Sequence, residues 1–156
     1  MRKSTLMVML ILVGAFAVLM YLANSSLGIY RPDIEAAQQL TRRCEERGDI
    51  AEGSKVKLRR MDGSSQRKGP GLNVEARPSD ALLARDGGLV ALVRALALDA
   101  LSAYPADVAE ALRWFKLTLE LPGGATQVVH LDRPPDGSFV GPSPPLPRRW
   151  PAGGAG

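Results

Sequence analysis

The one histidine of the chain, His130, is followed two residues later by a carboxylate, Asp132. A histidine oriented by a carboxylate is the pair that general base catalysis uses. Alternating apolar and polar residues predict a strand here, however, and side chains two positions apart on a strand point in parallel rather than converge. The chain has no Gly-x-Ser-x-Gly nucleophile motif either. We therefore predict no catalytic residues, with a secreted or periplasmic hydrolase-like enzyme using this pair as the alternative.

Metal, cofactor and nucleotide sites are not predicted. One cysteine, Cys44, and one histidine cannot make a His–Cys metal cluster. The glycine-rich residues 63–71 lack the Gly-Lys-Ser/Thr ending that would place a lysine on a phosphate. Cys44 falls on the apolar stripe of a predicted helix, so we expect it to pack as a small hydrophobe. A reactive or intermolecularly bridging thiol is the alternative.

The strongest charge pattern lies in residues 55–68, where six cations face a single acid, Asp62. Residues 69–133 carry six cations and eight acids, so the positive charge is local. Such a cluster is typical of attraction to anionic lipid headgroups or to an acidic partner protein. Lysine and arginine also protect exposed strand edges from pairing, which is the alternative. The predicted anionic-partner residues are Lys55, Lys57, Arg59, Arg60, Arg67 and Lys68.

An uncharged apolar run of 18 residues, 6–23, follows Arg2 and Lys3. As a helix it spans roughly 27 Å, against a hydrocarbon core of about 30 Å. The basic pair before it, with no charge after it until Arg31, predicts a cytoplasmic N-terminus. We therefore predict a cytoplasmic segment (1–5), a transmembrane signal anchor (6–23), a linker (24–31) and an extracytoplasmic remainder. The alternative is a signal peptide cleaved near Ser25, since small residues precede that position.

Residues 32–133 predict an α+β domain with the order helix-β-β-helix-β-β. Pro32 and Gly48 mark the first helix, with Ile34, Ala37, Leu40 or Thr41, and Cys44 on its apolar stripe. Two alternating segments, near 55–61 and 72–77, predict a hairpin. Ser79 caps a helix that runs to Tyr104, with a possible break at Gly87 and Gly88.

The segment before Pro122 is the strongest strand signal, because Phe115, Leu117 and Leu119 alternate with polar positions and Trp114. Residues 126–132 predict its return strand, with Val129 and Leu131 facing inward. We expect an antiparallel sheet covered on one face by the long helix, which is a small two-layer sandwich.

Residues 134–156 contain seven prolines and five glycines, a composition that favours extended, mobile chain. We therefore predict a disordered tail. Residues 144–149 also fit the Pro-x-x-Pro-x-basic pattern that polyproline-binding domains recognise, but such domains are uncommon outside the cytoplasm.

These observations together predict a single-pass, membrane-anchored extracytoplasmic binding or scaffold protein of the cell envelope, without catalytic activity. Its expected partners are the membrane through residues 6–23 and another envelope protein or anionic lipid headgroups. Self-association is an alternative, because Gly14, Ala15 and Ala17 allow close helix approach, although the Gly-x-x-x-Gly spacing is missing. Nucleic acid is not expected, because no aromatic residue lies among the cations to stack on bases.

Overall fold

The computed structural model describes residues 3–26, 31–64 and 66–151, and the chain divides into two compact units, Met1–Arg31 and Pro32–Gly156. In the first unit, helix α1 spans Lys3–Ser26. Its side chains are exposed from Thr5 to Ala23, and this segment is long and apolar enough to cross a membrane or to act as a signal sequence. Residues 1–2 and part of the predicted linker, 27–30, lie outside the described residues.

The second unit, which we call the head, contains the remaining elements. The helices are α2 (Arg31–Arg47), α3 (Asp80–Ala84), α4 (Gly88–Ala103) and α5 (Ala106–Ala111). The strands are β1 (Lys57–Met61), β2 (Gly71–Ala76), β3 (Trp114–Glu120), β4 (Thr126–Asp132) and β5 (Val140–Ser143). A 3₁₀ turn, Pro122–Gly124, joins β3 to β4. The α+β class is confirmed, and so is the break in the long helix, where Gly87 adopts a left-handed conformation with φ of 69°.

The sheet is mixed, so the predicted antiparallel sheet is wrong. Its strand order is β1-β2-β3-β4-β5, and β2 and β3 run parallel while the other pairs are antiparallel. A helix between β2 and β3 was predicted, and the connection consists of α3, α4 and α5. It returns the chain to the end of the sheet where β2 began, so β3 runs in the same direction as β2.

One face of the sheet carries the core. Strand residues such as Leu72, Phe115 and Leu131 are fully buried there. They pack with α2 through Leu40 and Cys44, and with α4 through apolar residues including Leu92, Val93, Leu96 and Ala97. Two helices on one sheet face form the two layers that were expected.

The buried stripe of α2 contains the predicted Leu40 and Cys44, but its first member is Ala36 and not Ile34. Ala36, Leu40 and Cys44, four residues apart, are fully buried, whereas Ile34 is 47% exposed. Spacings of three and four residues both satisfy helical periodicity, so the sequence did not decide between these neighbouring stripes.

Trp114 lies on the polar face of β3, as predicted. It is nevertheless buried, because its neighbour on β2 is Gly71 and the indole fills the space that a side chain there would occupy. The indole Nε1 donates a hydrogen bond of 3.1 Å to the carbonyl of Gly69.

The predicted tail disorder is not confirmed. Strand β5 pairs with β4, Phe139 packs edge-on against Phe115 with ring centroids 5.6 Å apart, and Leu146 and Trp150 lie against the core. The proline-rich segment is also tied down, because the amide of Gly87 donates to the carbonyl of Arg148 at 2.7 Å. Residues 152–156 lie outside the described residues.

Candidate functional site

The second face of the sheet carries mostly polar and charged side chains, and no core helix packs on it among the described residues. We call it the outer face. Strand pairing places together residues that are far apart in the sequence, and alternation along each strand determines which of them share this face. On β1 to β4 its members are Lys57, Arg59, Met61, Gly71, Asn73, Glu75, Trp114, Lys116, Thr118, Glu120, Thr126, Val128, His130 and Asp132.

Only some of the six predicted anionic-partner residues lie on this face. Arg60 pairs in register with Leu72, which belongs to the core face. Its guanidinium Nε lies 3.8 Å from the carboxylate of Asp33 at the start of α2, and Tyr104 donates a hydrogen bond of 2.7 Å to the same carboxylate. Arg60 therefore joins the sheet to the helices and lies on the core side of β1, away from the outer face.

Arg67 has a positional role as well. Its Nε donates a hydrogen bond of 2.8 Å to Asp132 on β4, so that the loop between β1 and β2 reaches across the outer face. The bond from Trp114 to Gly69 holds the same loop. Arg67 and Asp132 thus largely neutralise each other, and the indole lies next to them.

The remaining four predicted cations are more available. The Lys57 ammonium is 3.7 Å from Glu75, but its side chain is 72% exposed, so this surface ion pair contributes little. For Lys55, Arg59 and Lys68 the described part of the chain contains no carboxylate within 4.0 Å. A shallow hollow of about 210 Å³ lies beside Lys55 and Lys57, but Glu75 and Glu120 also line it, so its charge is mixed.

A row of basic and amide side chains crosses the middle of the outer face. Arg59 pairs in register with Asn73, Asn73 with Lys116, and Lys116 with His130. We call these four residues the basic row. Strands lie about 4.8 Å apart, so the row extends about 14 Å from Arg59 to His130. It contains no acid, because the acids of this face occupy other rows.

Two side chains of the basic row, His130 and Asn73, have unusual surroundings. The pKa of His130 is lowered from its usual 6.5, first by partial burial and then by the positive charges of Arg67 and Lys116. His130 is therefore largely neutral at neutral pH and can gain a proton in acid. Asn73 Oδ1 is buried and has no hydrogen-bond partner among the described residues, while its Nδ2 makes only a long contact of 3.5 Å to Glu75.

The alternative hydrolase pair, His130 and Asp132, lies on one strand face as expected, and Asp132 accepts the hydrogen bond from Arg67. That carboxylate is therefore engaged by a cation instead of orienting the imidazole. Catalysis by this pair stays a prediction that no observation favours.

Cys44 lies in the core, and burial raises its thiol pKa to about 11, with the charge of Arg47 acting in the opposite direction. The thiolate is the reactive form, so this favours the predicted packing role. A network of charges surrounds it: Arg47 hydrogen bonds to Asp49 at 2.6 Å and lies 2.8 Å from Asp99 Oδ2 on α4.

Within the described ranges, no three His, Cys, Asp or Glu side chains are grouped so that they could hold a metal ion.

In comparisons with family models, curated proteins and solved structures, nothing matches this chain. Asn73, Lys116 and His130 were not predicted as binding residues. Alternation in 114–120 placed Lys116 on the polar face, but its juxtaposition with Arg59 and Asn73 depends on the parallel pairing of β2 and β3, for which the sequence offers no local signal.

Proposed function

We propose that this protein is a single-pass, membrane-anchored binding protein of the cell envelope, whose extracytoplasmic head binds an anionic partner without catalysing a reaction. The observation that carries the proposal is the outer face: a broad sheet surface, uncovered by the core helices, with positive charges that its own carboxylates do not neutralise. Such a surface attracts anions through its local field.

The anchor is the second part of the proposal. It is supported by α1, which is exposed and uncharged over Thr5–Ala23. Isolated exposed leucine residues are ordinary, but an unbroken apolar surface of this length is stable only in lipid or against a partner. The basic pair Arg2 and Lys3 supports an orientation with the head outside the cytoplasm.

A protease added to sealed cells tests the orientation. We expect the head to be digested without lysis, whereas a head on the cytoplasmic side would be cut only after lysis. Intact-mass measurement of the same material separates the two forms of export, since cleavage near Ser25 would remove α1.

Binding is tested by cross-linking in intact membranes, comparing the natural chain with Arg59→Glu and Lys68→Glu. Both cations are exposed and, among the described residues, unpaired, so charge reversal should weaken capture of the partner without unfolding the head. Arg85→Glu, an exposed cation next to α3 on the helix side, is the matched control. Unchanged capture by Arg59→Glu and Lys68→Glu would contradict the proposal.

A further inference from the structure

We infer that the basic row binds the phosphate groups of anionic lipid headgroups, and that it does so more tightly in acid, when His130 is protonated. This inference rests on the proposed function, because α1 would confine the head near a membrane surface. It deepens that function by assigning the ligand to Arg59, Asn73, Lys116 and His130 instead of to the six clustered cations.

The positive charge of the basic row is not compensated by the carboxylates of the outer face. Asp132 is paired with Arg67 at 2.8 Å, Glu75 faces Lys57 at 3.7 Å, and Glu120 lies in another row, in register with Thr126. Neither Arg59 nor Lys116 has an ion pair with any described carboxylate. The row therefore carries two free positive charges at neutral pH and a third when His130 gains a proton.

The composition of the outer face favours a lipid surface over a protein partner. Protein interfaces have apolar centres rich in aromatic residues, from which lysine is depleted. Here Lys116 is at the centre, and the one aromatic side chain of the strand residues on this face, Trp114, is buried beside Gly71. A flat cationic row is better suited to a headgroup layer, where each lysine or arginine contributes independently.

The groups that face His130 determine its acid response. Lys116 lies opposite on β3 and Arg67 reaches in from the loop, and both oppose protonation, while Asp132 on its own strand and the backbone of Ser143 on β5 favour it. A bound phosphate would favour the protonated imidazole further. By linkage, protonation must then strengthen phosphate binding by the same factor.

The test uses the full chain held in phosphatidylcholine nanodiscs and mixed with vesicles of phosphatidylcholine alone or of phosphatidylcholine and phosphatidylglycerol in equal parts. Co-sedimentation should occur only with the anionic vesicles. Arg59→Gln and Lys116→Gln should each weaken it by about five-fold, since one cation near an anionic surface contributes about that factor. The control Arg85→Gln, on the helix side, should change it by less than about two-fold.

Acidification gives an independent measurement. Binding should rise as the pH falls and His130 gains a proton, and His130→Gln should remove this rise. Because the chain has a single histidine, its imidazole NMR signals report this site alone. Anionic vesicles should raise its titration midpoint, and inorganic phosphate at the same phosphate concentration should raise it less.

The inference is overturned if phosphatidylcholine vesicles bind equally well, if Arg85→Gln weakens binding as much as Lys116→Gln, or if inorganic phosphate acts as strongly as the vesicles. Capture of an acidic protein through Arg59 without any vesicle binding would also overturn it and leave the proposed function standing. Failure of the chain to enter nanodiscs would contradict the anchor itself, which is a separate result.

Discussion

At the scale of single residues, the contact between Gly71 and Trp114 determines how the β1–β2 loop lies. The indole covers the glycine, its Nε1 binds the carbonyl of Gly69, and Arg67 binds Asp132 beyond it. A large aromatic side chain on the polar face is thereby buried without a helix to cover it. The position of the β1–β2 loop on the sheet therefore depends on Gly71, because a side chain there would displace the indole.

Gly71→Ala is expected to destabilise the head by roughly 1–3 kcal/mol, because the added Cβ would overlap the indole and force it or the loop to move. Urea unfolding followed by circular dichroism measures this. Gly63→Ala, in the same loop, is the control: its Cβ would meet the backbone oxygen of Arg67 at an ordinary 3.5 Å. Equal effects of the two substitutions would show that the indole is free to move.

The lowered pKa of His130 has a consequence for stability as well as for binding. As the pH falls below about 6.5, the unfolded chain takes up a proton before the folded chain does, so the free energy of unfolding must decrease. The loss ends once the pH has passed the lower folded pKa. His130→Gln should lack this step, and parallel stability curves from about pH 7 to about pH 5 would contradict the lowered pKa.

At the scale of elements, strand periodicity was sufficient for β3 and β4 but not for the pairing of β2 with β3. Phe115, Leu117, Val129 and Leu131 were predicted to face inward, and all four are buried. Alternation is a local property of a strand and is visible in the sequence. The helix between β2 and β3 was predicted, but strand direction depends on the end of the sheet to which the whole connection returns the chain, and this is not visible in the strand residues.

The strand β5 was missed for a compositional reason. Of the prolines in this segment, only Pro142 lies in β5, where it removes one amide donor; an edge strand tolerates this because one of its sides is unpaired. Proline-rich composition therefore predicted mobile chain where the structure has a short edge strand and packed aromatic side chains. The basic row was missed along with the parallel pairing, since its members come from four strands.

Phe139→Ala is expected to lower the free energy of unfolding by about 1–3 kcal/mol, because the ring packs edge-on against Phe115 at the edge of the core. Chemical denaturation of the full chain in detergent measures the change. Val140→Ala, at a side chain that is 55% exposed, should cost less than about 0.5 kcal/mol. If Phe139→Ala costs as little as the control, the segment behaves as the mobile tail that its composition predicted.

At the scale of the whole molecule, a charge in the middle of α1 should prevent membrane insertion. Leu12→Arg replaces an apolar side chain by one that costs about 3–4 kcal/mol more at the centre of a membrane helix. Carbonate extraction of membranes should then release the variant into the soluble fraction. Tyr21→Arg, near the end of the apolar segment where a long side chain can reach water, should remain membrane-bound. Release of both variants, or of neither, would argue against a transmembrane α1.

The head closes its core with residues from both ends of its own sequence. Leu40 of α2 comes early in the chain, whereas Phe139, Leu146 and Trp150 come last and lie against the same cluster. If the head crosses a translocation channel in the order of its sequence, beginning with α2, this cluster stays incomplete until residue 150 has emerged, and Phe115 lacks its aromatic neighbour during transit. A partly translocated chain would therefore expose apolar core residues to which holding chaperones bind, and a stall before residue 139 would favour aggregation.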